Sequence, residues 1–121
     1  MNMKQILFIL LLSLLVTSCK KKDPPPPTGD LLITVKYDGF VEEQVECLIY
    51  ETYDKFVRYE YLELQYSDEY GQVFFEYLEP GWYFLEAEKI VNSMFIMYAF
   101  DSVEVMADKQ TNKIVNLYPK K

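Results

Sequence analysis

The sequence predicts an all-β protein: a single antiparallel sandwich of two sheets and about seven strands over residues 31–118, preceded by a signal peptide and a proline-rich tether. Three observations predict it. From Leu31 onward apolar residues alternate with period two, as in strands that bury one face. Turn signals made of Asp, Asn, Gly and Pro recur at the ~8–12 residue spacing of sandwiches and barrels. No stretch after residue 30 holds a helical pattern long enough to compete. The 121 residues fit one domain, and a chain that is 50% apolar and 17% aromatic can build a core rather than remain a disordered polymer.

Residues 1–18 read as a signal peptide. Lys4 precedes a run from Ile6 to Val16, eleven residues that are apolar but for Ser13. A spanning helix needs ~20 apolar residues, so this run has the length of a signal-peptide apolar region. Val16-Thr17-Ser18-Cys19 resembles the lipobox of bacterial lipoproteins. The resemblance implies cleavage before Cys19, lipidation of its sulfur, and the bilayer as a partner through the acyl chains, each buried CH₂ contributing ~0.8 kcal/mol. The alternative is a plain secretory signal with a chance cysteine. Lys20 stands where an Asp would resemble an inner-membrane retention signal, so an outer-membrane anchor is implied. The basic run Lys20-Lys21-Lys22, in place of the acidic run of surface-exported lipoproteins, favours the periplasmic side.

Residues 19–30 form the tether. Pro24 to Pro27 lack N–H donors and favour polyproline II, which at ~3.1 Å per residue holds a body some tens of Å off the bilayer. The three lysines beside the lipid suit anionic headgroups.

The strands follow in order. Leu31, Ile33, Val35 and Tyr37 share one parity and end at the turn pair Asp38-Gly39. Val45, Cys47 and Ile49 alternate next. Tyr59–Tyr66 is rich in Tyr and Leu and reads as a strand; Ser67 to Gly71 reads as a turn. Val73, Phe75 and Tyr77 alternate up to Glu79-Pro80-Gly81, a type II-like reversal. Tyr83, Leu85 and Ala87 share a core-facing parity, with Glu86 and Glu88 on the other face. Ile90-Val91-Asn92 reads as loop or strand extension. Phe95–Phe100, Val103-x-Val105 and Ile114–Tyr118 complete the set.

The stretch from Asp68 to Ala87, with its Asp-rich turn ending at Gly71, Leu78-Glu79-Pro80-Gly81 and Tyr83-Phe84-Leu85, resembles the transthyretin-like sandwich group. That group includes carboxypeptidase regulatory-like domains and collagen-adhesin B-type (Cna-B) repeats. The resemblance covers about twenty residues and implies a fold, not an activity. Adhesin-type relatives carry a Lys–Asn isopeptide bond aided by a buried acid. Here Lys36 and Asn116 are the candidate partners, and the acid's position falls on Ala87. Lys36 is expected on the outer face, so no such bond is expected.

Charge and residue types narrow the function. The chain has no His, which removes Ser-His-Asp and Cys-His catalysis and His-ligated zinc. Its net charge is −7, and residues 30–118 hold six basic residues against 18 acidic ones, a net −12, which argues against a nucleic-acid partner. Ser67, Asp68, Glu69, Glu42 and Glu43 are oxygen donors for Ca²⁺ in type, but lack a fixed-spacing loop and read as solvated turn acids. Cys47 reads as a small buried hydrophobe, left unpaired because Cys19 is taken by lipid. No metal or cofactor motif is visible. The eleven tyrosines, Tyr50, Tyr53, Tyr59, Tyr61 and Tyr70 among them, exceed what one core needs. Three readings follow: a membrane-anchored, non-catalytic binding or assembly module with a protein or glycan partner; a carbohydrate-binding accessory using exposed Tyr; and a small hydrolase using paired acids.

Overall fold

The computed structural model describes residues 24–121; the signal peptide, Cys19 and the three lysines after it lie outside the described residues. Among the described residues, nine strands and one short helix follow in order: β1 (Gly29–Tyr37), β2 (Phe40–Val41), β3 (Glu46–Tyr50), α1 (Tyr53–Val57), β4 (Glu63–Tyr66), β5 (Gln72–Leu78), β6 (Gly81–Asn92), β7 (Phe95–Val105), β8 (Gln110–Asn116) and β9 (Tyr118–Pro119). They form two facing sheets. In the first, β1 is central. β8 runs along one edge of it, and β5 and β2 share the other. The second has the order β4-β3-β6-β7-β9. Every pairing is antiparallel except β1 with β8, which run parallel from Asp30↔Gln110 to Lys36↔Asn116.

The alternation does the folding work. Leu31, Ile33 and Val35 from β1, Cys47 and Ile49 from β3, Val73 and Phe75 from β5, and Leu85 and Ala87 from β6 all enter one core, joined by Val103, Val105 and Val115. Burying every second side chain removes apolar surface from water at ~25 cal/mol per Å². Asp38 and Gly39, at φ +51° and +85°, make the two-residue turn between β1 and β2, the mirror-image geometry that matches strand twist. Met94 N–H donates to Oδ1 of Asn92 at 2.8 Å and closes the long β6–β7 hairpin.

Gly71 is required twice over. Its φ is +72°, and a Cβ there would lie 2.8 Å from the Val35 carbonyl oxygen and 2.9 Å from Cβ of Val41. Beside it, Oδ1 of Asp68 accepts from the N–H groups of Tyr70 and Gln72, both at 2.9 Å.

Three sequence expectations change, and one left open is resolved. Glu79-Pro80 does not close a hairpin: β5 belongs to the first sheet and β6 to the second, so the link carries the chain between layers. Tyr77 bends the end of β5 with φ +58°, its N–H held by Oδ1 of Asp30 at 3.1 Å. Tyr59–Tyr66 is a strand only from Glu63, and the five-residue α1 precedes it, too short to leave a periodic signature. Its N-cap Thr52 accepts from the Lys55 N–H at 3.1 Å. Ile90-Val91-Asn92 extends β6, and Phe95–Val105 is one strand rather than two. The parallel β1–β8 pair was invisible to alternation, which reports a strand's faces and not its neighbours.

Candidate functional site: a tyrosine and glutamate hollow on the second sheet

The outer face of the second sheet is where polar chemistry gathers. On β3, Leu48 and Tyr50 point outward, opposite Cys47 and Ile49, yet both are buried. For Tyr50 the cover is α1: the Phe56 ring meets the Tyr50 ring edge-on at 5.3 Å. Phe56 also lies 4.5 Å from Phe100, which stacks at 8° on Phe84, while Tyr53 closes the cluster against Phe84 at 6.0 Å. Tyr50 therefore anchors an aromatic cluster outside the main core, where the sequence reading saw a tyrosine the core does not need.

Beside this cluster three carboxylates share one face. Glu46 on β3 stands directly across from Glu88 on β6, and Glu86 lies two residues back along β6, across from Leu48. Phenols hold two of them. Tyr50 donates to Oε1 of Glu86 at 3.0 Å, Tyr98 donates to Oε2 of Glu86 at 2.8 Å, and Tyr66 donates to Oε2 of Glu46 at 3.3 Å. The third, Glu88, takes the Lys120 ammonium at 2.9 Å. That same ammonium sits 4.7 Å from the centre of the Tyr98 ring, a cation–π contact. Glu46, Leu48, Tyr59, Glu86, Glu88 and Lys120 line a hollow of about 210 Å³.

The electrostatics follow from the packing. Burial, then the hydrogen bond to Glu86, pushes the Tyr50 and Tyr98 phenols well above the usual tyrosine range. The charge of Glu46 raises Tyr66. Three carboxylates face one ammonium, and like charges directly across a ladder repel. Among the described residues the hollow thus holds more negative charge than is neutralised there.

Other residues singled out by sequence lie elsewhere. Ser67 is buried; its Oγ donates to the Glu42 carbonyl at 2.7 Å and accepts from Val45 N–H at 2.9 Å, tying loop to strand. Asp68 holds its own turn, and Glu42 pairs with Lys89 at 3.0 Å. Among the described residues no three acid or cysteine side chains converge as metal ligands. Cys47 is fully buried, and burial, reinforced by Glu46, pushes its thiol up to about 12. Lys36 and Asn116 are in register across β1 and β8, but the position from which an acid would serve them is Ala87, inside the core on the other sheet. Tyr53, Tyr59, Tyr61 and Tyr70 are exposed, and Tyr59 meets Tyr61 edge-on at 79°. Glu51, Glu63 and Glu79 line a second hollow of about 270 Å³ with Tyr77 and Tyr83.

Sequence reasoning put Glu86 and Glu88 on the outer face but missed that Tyr50, Tyr98 and Lys120 meet them there. The pairing of β3, β6 and β7 makes that meeting, and no local signal carries it. Comparison with known proteins finds no matching family model and no matching curated protein. No helix among the described residues is long and apolar enough to cross a membrane.

Proposed function

We propose that the protein is a membrane-anchored, non-catalytic lipoprotein, held by acylated Cys19 in the outer membrane, whose folded body is a binding or assembly module. The lipobox-like Val16–Cys19 and the proline tether motivate the anchor. One structural relationship supports a binding role. The chain enters the body at Gly29, packed against Val105 and Met106, with the Thr28 carbonyl accepting from Asp108 N–H at 2.8 Å. Gly81 pairs with Val105 at that same end of the β6–β7 ladder, whereas Glu88 pairs with Tyr98 towards the hairpin tip. The tyrosine and glutamate hollow therefore lies on the half of the second sheet that a tether at Gly29 would hold away from a bilayer. The acidic body and an anionic membrane repel each other, which favours that stance.

The test is labelling with palmitate in a bacterial host. The precursor is expected to incorporate label, to lose its leader, and to fractionate with outer membranes. Cys19→Ala is expected to abolish the label and release the body. A labelled Cys19→Ala chain, or an unlabelled parent, overturns the anchor.

The exposed Tyr53, Tyr59, Tyr61 and Tyr66, on and around the second sheet, favour a second reading, a carbohydrate-binding accessory. A strip of coplanar rings would offer an extended glycan one continuous stacking face, whereas the Tyr59–Tyr61 pair is edge-on. A glycan array separates the readings: saturable binding lost in Tyr59→Ala supports the second.

A further inference from the structure

We propose that the end of the body where the tether enters is a docking foot for the bilayer surface, and that Trp82, Met106 and Tyr77 seat in its headgroup layer. The proposal rests on the reading of Cys19 as the membrane anchor and adds a second contact, one that sets how the body stands.

Strand ends build the patch. Gly29, the first residue of β1, pairs with Leu78 at the end of β5, and Gly81 at the start of β6 pairs with Val105 at the end of β7. Gly29 also packs against Val105 and Met106. Four strands therefore present an end beside the point where the tether joins. Trp82 points outward from β6, opposite in parity to the buried Tyr83 and Leu85, and is 61% exposed. Phe84, the next outward residue, is taken up by Phe100, which stacks on it at 8°; Trp82 stands beyond that stack. Across the ladder from Trp82 is Glu104, so Met106, two residues on, is its diagonal neighbour, within reach of a long side chain and 47% exposed. Tyr77, at the bend that ends β5, is 77% exposed. An indole and a phenol each join an apolar ring to one polar atom, the chemistry that settles at the headgroup level of a bilayer.

Tether length decides which end meets the membrane. The far end has exposed apolar side chains too, Phe40 and Val41 on β2 and Ile90 and Met94 at the β6–β7 hairpin tip. Ten residue steps lead from Cys19 to Gly29, with four prolines among them, a reach of about 31 Å at ~3.1 Å per residue. Strand β6 alone runs from Gly81 to Asn92, about 36 Å at ~3.3 Å per residue. To touch the bilayer, the hairpin tip would have to hold Gly29 farther from it than the tether spans. The end at Gly29 meets the bilayer with the tether slack.

Three side chains would not hold a free protein on a membrane. On an anchored body the contact is intramolecular, at an effective concentration of ~mM for a short linker, so a weak contact suffices. Glu79 and Glu104 stand at the same end and oppose an anionic surface, so the fit is to zwitterionic headgroups.

Trp82 is the chain's one tryptophan, so its emission reports this patch alone. The mature chain of that reading, Cys19 onward, is coupled through the Cys19 thiol to a maleimide-bearing lipid in vesicles of phosphatidylcholine and phosphatidylethanolamine; Cys47 is fully buried and does not react. Chemical coupling supplies the anchor, so a failure here speaks against the foot alone, whereas palmitate labelling in cells speaks to the anchor alone. The coupled chain is expected to emit further to the blue than the uncoupled chain with the same vesicles, and to be quenched by lipids brominated just below the headgroup. Tyr77→Ser with Met106→Ser is expected to reduce both the shift and the quenching at an unchanged urea midpoint, because both positions are exposed. Moving the reporter to the far end, with Trp82→Phe and Met94→Trp, is expected to abolish the quenching. Emission of the coupled parent that vesicles leave unchanged overturns the proposal, as does equal quenching of the Met94→Trp reporter. A blue shift that grows with protein concentration in the absence of vesicles assigns the patch to a second copy of the chain and overturns it too.

Discussion

Tyr50 and Tyr98 come from β3 and β7, strands that do not pair, yet their hydroxyls converge on one carboxylate, donating to the two oxygens of Glu86 at 3.0 and 2.8 Å. A hydrogen bond to a charged acceptor is worth ~1.5–3 kcal/mol in proteins. Tyr50 is fully buried, so its hydroxyl has no water to fall back on. Glu86→Ala is expected to cost about 2–3 kcal/mol in urea unfolding. Tyr50→Phe and Tyr98→Phe share one acceptor, so the double variant is expected to deviate from the sum of the singles. Strict additivity would show that Glu86 is not the common partner.

Alkaline pH reads the same packing. The folded state holds the Cys47 thiol up to about 12 and raises the Tyr50 and Tyr98 phenols, whereas the unfolded chain releases these protons from their ordinary values of 9.0 and 10.0 upward. The unfolded state then binds fewer protons, so stability falls as pH rises, by ~1.4 kcal/mol per pH unit for each group within its window. The Cys47 contribution is complete below pH 9.0 and is lost as pH climbs towards about 12. Urea midpoints at pH 7, 9 and 10.5 are expected to decline along that course, and Cys47→Ala is expected to flatten the decline. A thiol reagent is expected to label Cys47 only at the rate of unfolding.

Ser67 illustrates how a residue grouped with turn acids serves the fold instead. Its hydroxyl satisfies the Val45 N–H and the Glu42 carbonyl from inside the structure. Ser67→Ala strands a buried donor and is expected to cost ~1–3 kcal/mol. Glu69→Ala, on the exposed face of the same turn, is expected to cost under ~0.5 kcal/mol. Equal costs would deny Ser67 its bracing role.

The faces of the strands were legible because burial has the same period as the pleat. Ile33, Val35, Cys47, Ile49, Phe75, Leu85, Ala87 and Val105 all point where alternation put them. What alternation cannot carry is which strand stands beside which. The parallel β1–β8 pair, the crossing at Glu79-Pro80 and the seating of Lys120 near Tyr98 are all choices of neighbour. Helix α1 escaped for another reason. Five residues stabilised by Phe56 against Tyr50 owe their helicity to a tertiary contact rather than to propensity.

Two glycines at positive φ separate backbone strain from steric exclusion. Gly39, at φ +85°, has open space where a Cβ would stand, so Gly39→Ala is expected to cost only the left-handed conformation, about 1 kcal/mol. Gly71, at φ +72°, adds close approaches to the Val35 carbonyl and to Cβ of Val41, and both neighbours are backbone-fixed. Gly71 also accepts the bond from Val35 N–H at 2.8 Å, so relaxing the clash by moving its backbone would break the continuation of the β1 ladder. Gly71→Ala is therefore expected to cost at least about 2 kcal/mol more than Gly39→Ala, read as a larger drop in urea midpoint at unchanged slope. Equal midpoints for the two variants would mean that the turn before β5 can shift away from β1, and that the close approach of β2 to this turn is not what fixes glycine at position 71.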